Sequence, residues 1–93
     1  MTVYVDDMRA PYRGMIMCHM MADTTEELLA MADRIGVSRR WIQHAGTPHE
    51  HLDISLGKRA LAVGAGAKEI GRKEVGEILR ARSALARTAE ASS

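Results

Sequence analysis

The residue types best suited to metal binding or proton transfer are concentrated in two short segments of this sequence. The first segment, residues 18–23, contains His19 and Asp23. The second segment, residues 44–53, contains the other three histidines and an aspartate: His44, His49, His51 and Asp53. Imidazole and carboxylate groups ligate divalent metals and exchange protons near neutral pH. The two segments therefore indicate where chemistry would occur, without indicating which reaction.

Each of these side chains also has an ordinary structural interpretation. A histidine near a strand end is often a hydrogen-bonded structural residue, and Asp23 precedes a capping threonine and so fits a helix start. His51 and Asp53 are two residues apart, so in extended chain they project from the same side. We expect His44 and His49 to face solvent. The metal-ligand candidates are therefore His19, Asp23, His51 and Asp53, and the catalytic candidates are His19, His51 and Asp53.

Size and composition indicate one folded domain. The chain has 93 residues, of which 46% are hydrophobic and 27% are charged, as is typical of globular proteins. Thirteen basic and twelve acidic side chains give a formal net charge of +1. This balance argues against a general attraction to nucleic acid or to anionic membranes. We expect a single domain over residues 1–87 and a frayed tail over residues 88–93.

The cysteine count and the hydropathy pattern bear on the cellular compartment. Cys18 is the only cysteine, so the chain forms no internal disulfide, and a reducing compartment is the simplest setting. The first residues are acidic, unlike a signal peptide, and no apolar run approaches the roughly 20 residues of a membrane span. We therefore expect a cytoplasmic protein with no membrane partner.

Helix signals are the clearest local patterns. Thr24 and Glu27 have the spacing of a capping box, and Gly36 supplies the left-handed stop of a helix over residues 25–35. Ser55 caps a second helix, and a third is predicted over residues 72–87, where Arg82 interrupts an apolar stripe. Strands are predicted over residues 2–5, 15–19, 37–43 and 68–70, and a loop over residues 44–54. The order is β-β-α-β-α-β-α.

This order predicts a small α/β domain with a mostly parallel four-stranded sheet and three helices. Right-handed crossovers would bring both His/Asp segments to one sheet edge, at the carboxyl ends of the strands. Lys58 and Arg59, in the first turn of the second helix, would neutralise a bound phosphate there. Asp6 would reach this edge only if the first two strands were parallel or the loop between them were bent.

Several known site patterns are absent from the sequence. There is no Walker loop, G-x-S-x-G motif or H-E-x-x-H motif. Cys18 and His19 are adjacent along a strand and point to opposite faces, which argues against a catalytic Cys–His pair. Arg39, Arg40 and Trp41 have the residue types that contact phosphate and stack on a base, although a strand with polar flanks and a core tryptophan explains them more simply.

The chain resembles the domain of unknown function 4031 family of small bacterial and phage proteins. The matching segments are, in order, Val3-Tyr4-Val5-Asp6, Cys18-His19-Met20, Ala22-Asp23-Thr24, Glu26-Glu27-Leu28, Arg34-Ile35-Gly36, Arg40-Trp41-Ile42-Gln43, His51-Leu52-Asp53, Lys58-Arg59-Ala60 and Gly66-Ala67. The family has His-Tyr-Asp where this chain has Leu52 at the centre, so a tyrosine hydroxyl is not essential here. The resemblance implies an α/β fold of this length and no established activity.

These observations lead to one main hypothesis and two alternatives. The main hypothesis is a His/Asp pocket that binds a divalent metal, a small phosphate-bearing ligand, or both, and that acts as a phosphoester hydrolase if the protein is an enzyme. The first alternative is a non-catalytic phage or bacterial regulator that binds a protein partner through its Met-rich segment and its mixed-charge third helix, with a homodimer as one form of such contact. The second is a weak nucleic-acid-binding module.

Overall fold

A long antiparallel hairpin at the start of the chain is the framework of the fold. The computed structural model describes residues 2–92, with side chains over residues 2–88. Strands β1 (Val3–Val5) and β2 (Ala10–Tyr12) both pair with β3 (Met15–Ala22) in antiparallel orientation. Arg13 and Gly14 form the turn between β2 and β3 with φ values of 49° and 78°. Two successive left-handed residues match the twist of hairpin strands, and glycine adopts this conformation without steric cost.

Two further strands complete a mixed, mostly antiparallel sheet. Strand β4 (Leu52–Ser55) pairs antiparallel with the middle of β3. Strand β5 (Lys68–Glu69) lies parallel to β1 and gives the one parallel pairing within residues 2–92. The prediction of a mostly parallel four-stranded sheet is therefore wrong, although the α/β class is confirmed. The reason is that β1 and β3 belong to one hairpin, and that the segment from β3 to β4, although it contains a helix, returns the chain in the antiparallel direction.

The segment between the first two helices also differs from the prediction. Residues 37–43 do not form a strand; they contain the one-turn 3-10 helix Arg39–Trp41, which Ser38 caps through a hydrogen bond from the Arg40 amide. The strand lies instead inside the predicted loop, where Leu52 and Ile54 are buried and alternate with half-exposed residues. This period-2 pattern is only four residues long, and the Gly/Pro/His-rich sequence before it obscures it.

The helix predictions are confirmed at their caps. Helix α1 (Thr25–Ile35) begins where the Thr24 side chain accepts a hydrogen bond from the Glu27 amide and ends at Gly36, whose φ is 79°. Helix α2 (Leu56–Gly64) begins at Ser55, whose hydroxyl accepts from the Lys58 amide. Such caps satisfy amides that have no partner within the helix, typically contributing about 1 kcal/mol each.

The apolar core lies between one face of the sheet and these two helices. The fully buried residues on the sheet side are Val5, Cys18, Met20, Leu52 and Ile54. Leu28 and Ala32 of α1 and Ala62 of α2 belong to the same buried cluster. Because side chains alternate along a strand, the residues between these core positions point to the other face of the sheet. His19 and Asp53 are two of them.

Helix α3 (Arg72–Ser92) and this second face line a common cavity. Val75 and Leu79 line a cavity together with His19 and Met21. The guanidinium of Arg82 donates hydrogen bonds to the backbone carbonyls of Ala22, Pro48 and Glu50, and so ties the helix to β3 and to the preceding loop.

The ends of α3 bear on two sequence predictions. The predicted helix over residues 72–87 is confirmed, and α3 continues to Ser92 through most of the segment expected to be a frayed tail. Ser93 lies outside the described residues. No helix in the described part of the chain is both long and apolar enough to cross a membrane.

Candidate functional site

The candidate site is assembled by direct strand pairing. His19 of β3 and Asp53 of β4 are cross-strand partners, and both project from the sheet face opposite the core. His51 precedes Asp53 by two residues and joins the sheet through an isolated bridge with Gln43. The prediction that His51 and Asp53 share a side agrees with this geometry. The two His/Asp segments thus meet across an antiparallel pair, not at the edge of a parallel sheet as predicted.

Three side-chain atoms converge at this point. His19 Nε2 lies 3.8 Å from Asp53 Oδ1, and His51 Nε2 lies 3.5 Å from the same oxygen. The two imidazole rings are perpendicular, with centroids 5.0 Å apart. Taken together, the potential ligand atoms of His19, His51 and Asp53 all lie within 4.8 Å of one another.

Asp6 fixes the orientation of His19. Its Oδ2 lies 2.6 Å from His19 Nδ1, and its Oδ1 accepts a 2.8 Å hydrogen bond from the His19 amide. A carboxylate can only accept here, so the neutral form of the His19 ring has its proton on Nδ1 and its lone pair on Nε2. Asp6 is itself buried, in the break between β1 and β2. The bidentate contact therefore holds the ring with Nε2 directed at Asp53.

The antiparallel pairing was expected to move Asp6 away from His19, and this expectation is wrong. The predicted strand ended at residue 19, whereas β3 continues to Ala22. His19 is therefore inside the strand, and the Asp6 amide donates to the His19 carbonyl at 3.0 Å. A hairpin with a longer second strand brings Asp6 directly beside His19.

His51 is oriented by the backbone. Its Nδ1 lies 2.7 Å from the carbonyl oxygen of His49. Because a carbonyl oxygen only accepts, the neutral form of the His51 ring has its proton on Nδ1, and Nε2 again carries the lone pair. In their neutral forms, both histidines thus present an unprotonated Nε2 toward Asp53.

Asp53 completes the group with one satisfied and one unsatisfied oxygen. Oδ2 accepts a 2.7 Å hydrogen bond from Gln43 Nε2. Oδ1 is buried and has no hydrogen-bond partner within the described part of the chain. A buried carboxylate oxygen without a partner is costly, typically about 1–3 kcal/mol or more for a charged group. With both rings neutral, three acceptor atoms therefore face one another with no donor between them.

This arrangement suits a single cation. Two ligands bound at about 2.1 Å to a tetrahedral ion are about 3.4 Å apart. The observed separations of 3.5 Å and 3.8 Å are close to this value. Two imidazoles and one carboxylate are also the ligand types that suit zinc, iron and manganese ions. His19, His51 and Asp53 are thus able to hold a metal with little rearrangement.

Asp23 is not brought into this group. It follows the end of β3, four residues from His19, which corresponds to about 13 Å along an extended strand. Its carboxylate accepts hydrogen bonds from the Thr2 amide and the Tyr4 hydroxyl, each at 2.9 Å. Burial and then the hydrogen bond to Asp23 raise the pKa of Tyr4. These contacts fit a structural role at the end of the hairpin.

Lys58 and Arg59 also lie away from the three converging atoms. Arg59 donates to the backbone oxygen of Asp6 at 2.9 Å and forms a 2.8 Å ion pair with Glu69. The ammonium group of Lys58 lies next to Gly36, at the end of α1. Arg59 therefore supports the segment that carries Asp6, from behind the site.

Three cavities adjoin the site. One, of about 460 Å³, lies under α3 and is lined by all four histidines together with Val75 and Leu79. A second, of about 390 Å³, is lined by Asp6, Asp7, Met8, His19, Arg72 and Val75. The third, of about 580 Å³, has Asp53 and Gln43 in its wall. His44 and His49 are exposed, as predicted, but the His44 ring lies 5.9 Å from that of His51.

Sequence reasoning missed two polar contributors to the site. Gln43 lies in the segment predicted as a strand and is not among the predicted site residues, yet its amide donates a hydrogen bond to Asp53. Glu50 lies within the His-rich segment but was not singled out. Glu50 is buried and accepts hydrogen bonds from the Thr25 hydroxyl and the Gly46 amide, which shape the loop that precedes His51. The position of Glu50 immediately before His51 was an available signal, whereas the role of Gln43 depends on a contact ten residues along the chain.

A known protein family matches most of this chain. The family model described as "Protein of unknown function (DUF4031)" matches residues 3–82 of the chain. The chain belongs to the DUF4031 family. The match includes the three converging residues as well as Asp6, Gln43 and Arg82. No curated protein and no solved structure matched the chain.

Cys18 is predicted to be chemically inert in the folded protein. Burial, with a further contribution from the negative charge of Asp6, raises the pKa of the Cys18 thiol to about 11. At pH near 8 its thiolate fraction is then about 100-fold or more below that of a free cysteine. We expect iodoacetamide to alkylate the native protein at least about 100-fold more slowly than the urea-unfolded protein. Equal rates in the two states would contradict this placement of Cys18.

Proposed function

We propose that this protein binds one divalent transition-metal ion through Nε2 of His19, Nε2 of His51 and Oδ1 of Asp53. The observation that carries this proposal is the buried, unpartnered Oδ1 of Asp53 facing two imidazole nitrogens. Three converging lone pairs repel one another, and a cation at their centre would convert the repulsion into attraction. Asp23, predicted as a fourth ligand, is not part of the proposed set.

The neighbours of these residues support the same interpretation. Ligating histidines usually donate their other ring N–H to a carboxylate or a backbone carbonyl, which fixes the ring and raises its basicity. His19 does so to Asp6 and His51 to the carbonyl of His49. The Gln43 amide holds the second oxygen of Asp53 in the same manner. Each proposed ligand therefore has its own supporting hydrogen bond.

The proposed reaction is the hydrolysis of a phosphate ester. Three protein ligands leave a position open for water, and a divalent ion at such a site lowers the pKa of that water. Water adds to phosphorus, the P–O bond to the alcohol breaks, and the alcohol leaves with a proton. Arg72, in the cavity wall with His19, has the charge needed to balance the phosphate. Arg59 is engaged with Glu69, so Arg72 replaces the predicted pair Lys58 and Arg59 in this role.

Metal uptake and hydrolysis test the proposal together. The metal-free protein should bind about one equivalent of Zn²⁺, Mn²⁺ or Fe²⁺ in calorimetric titration, and the loaded form should hydrolyse p-nitrophenyl phosphate esters. His51→Ala should weaken uptake by about 100-fold or more and remove the hydrolysis. The matched control is His49→Ala, which removes an exposed imidazole from the same loop and keeps the carbonyl that orients His51.

The His49→Ala control distinguishes metal binding at the proposed site from metal binding by exposed histidines. Comparable losses in His49→Ala and His51→Ala would contradict the ligand assignment. Absence of uptake by the folded wild-type protein would reject the metal proposal. Tight uptake without hydrolysis of any phosphate ester would reject the reaction and retain the metal site. Circular dichroism of each variant verifies that the fold is intact.

Asp6 is expected to act as a positioning residue for the metal. Asp6→Asn replaces the carboxylate that accepts from His19 Nδ1 by an amide, which can present its NH₂ group to the ring and favour the other tautomer. We expect metal affinity to fall by about 10–100-fold with the fold retained. Asp7→Asn, a change of the exposed neighbouring carboxylate, should leave affinity within about threefold. Equal affinities of the Asp6 variant and the wild type would contradict this role.

A further inference from the structure

The largest of the three cavities is an open cleft that includes one of the proposed metal ligands, Asp53, in its wall. Gln43, Trp41, Tyr12 and three methionines, Met8, Met15 and Met17, also line it. We propose that this cleft binds the nucleoside part of a nucleotide, with the base stacked on Trp41 and the phosphate directed toward His19, His51 and Asp53. This inference rests on the proposed function and names its substrate class.

The aromatic rings of the cleft are unusually accessible. Trp41 is 58% exposed and Tyr12 is 55% exposed, in a chain with one tryptophan, two tyrosines and no phenylalanine. The 3-10 helix Arg39–Trp41 holds the indole of Trp41 outside the apolar core. Packing within the core therefore does not explain the position of this side chain. A flat, exposed ring in a cleft wall is a stacking surface for a planar base, and such stacking typically contributes about 1–3 kcal/mol per base.

Two cations accompany these rings. The Arg13 guanidinium lies 5.4 Å from the centre of the Tyr12 ring, and the Arg40 guanidinium lies 4.7 Å from that of Trp41. Within residues 2–88, neither guanidinium forms an ion pair, whereas Arg39 pairs with Asp33 at 2.6 Å. The two guanidiniums therefore place positive charge beside the aromatic rings of the cleft, which favours an anionic ligand over a neutral aromatic one.

The dimensions of the cleft also fit a nucleotide. Its volume of about 580 Å³ is within the usual range for small-molecule sites. Trp41 and Gln43 are two residues apart, so their Cα atoms are at most about 7 Å apart, and Gln43 holds Asp53. A base on Trp41 would thus lie within one nucleotide's length of the proposed metal. The methionine side chains are polarizable and adapt to a planar ligand.

A second copy of the chain is a less suitable occupant. A symmetric dimer brings the same surface of both copies together, so residues near the axis face their own counterparts. Arg13 and Arg40 would then approach like charges across the contact, which opposes association. A nucleotide meets the same cations with an opposite charge. The experiment below distinguishes these occupants.

Trp41 emission gives a direct test, because it is the only tryptophan in the chain. AMP should quench it at submillimolar to millimolar concentration in the metal-loaded protein, and adenosine should quench it more weakly. Ribose 5-phosphate should compete with AMP without quenching. Measured by calorimetry, Trp41→Leu should bind AMP about tenfold or more weakly, whereas Trp41→Phe, which keeps a stacking ring, should stay within about threefold.

Three results would overturn the inference. The first is an absence of quenching by both AMP and adenosine. The second is equal affinity for AMP and ribose 5-phosphate, which would show that the base makes no contact. The third is a spectral shift that depends on protein concentration, with a dimer in sedimentation. Metal uptake without nucleotide quenching would reject this inference alone, and quenching by adenosine in a protein without metal uptake would reject the metal site alone.

Discussion

Three acceptor atoms that face one another on the outer face of the sheet are the central constraint of this structure. His19 Nε2 and His51 Nε2 lie 3.8 Å and 3.5 Å from Asp53 Oδ1, and that oxygen is buried without a partner in the described part of the chain. Lone pairs do not gather in this way unless surrounding contacts enforce it, because the mutual repulsion opposes folding. Those contacts come from Asp6, Gln43 and the carbonyl of His49.

The rest of the fold fixes the register that this group needs. A one-residue slip between β3 and β4 would move His19 or Asp53 to the core face. The register is secured on that face by Cys18 and Met20, which are buried with Leu52 and Ile54 against α1 and α2. The hairpin turn at Gly14 aligns β1 with β3 and so sets Asp6 beside His19. Helix α3 is attached by the hydrogen bonds of Arg82 and covers part of the site. Its residue Val75 lines two of the cavities that adjoin the site.

The sequence predicted the local features of this molecule well and the long-range ones poorly. Helix caps at Thr24, Gly36 and Ser55 depend on contacts within a few residues, so their spacing alone identifies them. Strand pairing depends on residues far apart along the chain, and the same β-rich segments are compatible with parallel or antiparallel sheets. The predicted second strand ends at residue 19, three residues too early. This error had the largest consequence, because it placed His19 and Asp23 together at one strand end.

The candidate site was accordingly predicted in part. His19, His51 and Asp53 meet because the register of β3 and β4 pairs His19 with Asp53 on one sheet face. The predicted site includes Asp23, Lys58 and Arg59 because the carboxyl ends of parallel strands meet at one edge of a sheet. In an antiparallel pair, the carboxyl ends of the two strands lie at opposite edges. Gln43 was missed because residues 37–43 read as a strand with a central tryptophan, whereas a 3-10 turn exposes Trp41.

The tautomers of His19 and His51 test this account most directly. Nitrogen-15 NMR of the metal-free protein near neutral pH distinguishes a protonated ring nitrogen from one that carries a lone pair. The geometry predicts that the neutral form of each ring has its proton on Nδ1, and that Zn²⁺ shifts both Nε2 resonances together. A proton on Nε2 of either ring, shared with Asp53 Oδ1, would satisfy the orphaned oxygen without a metal. That result would contradict the central claim.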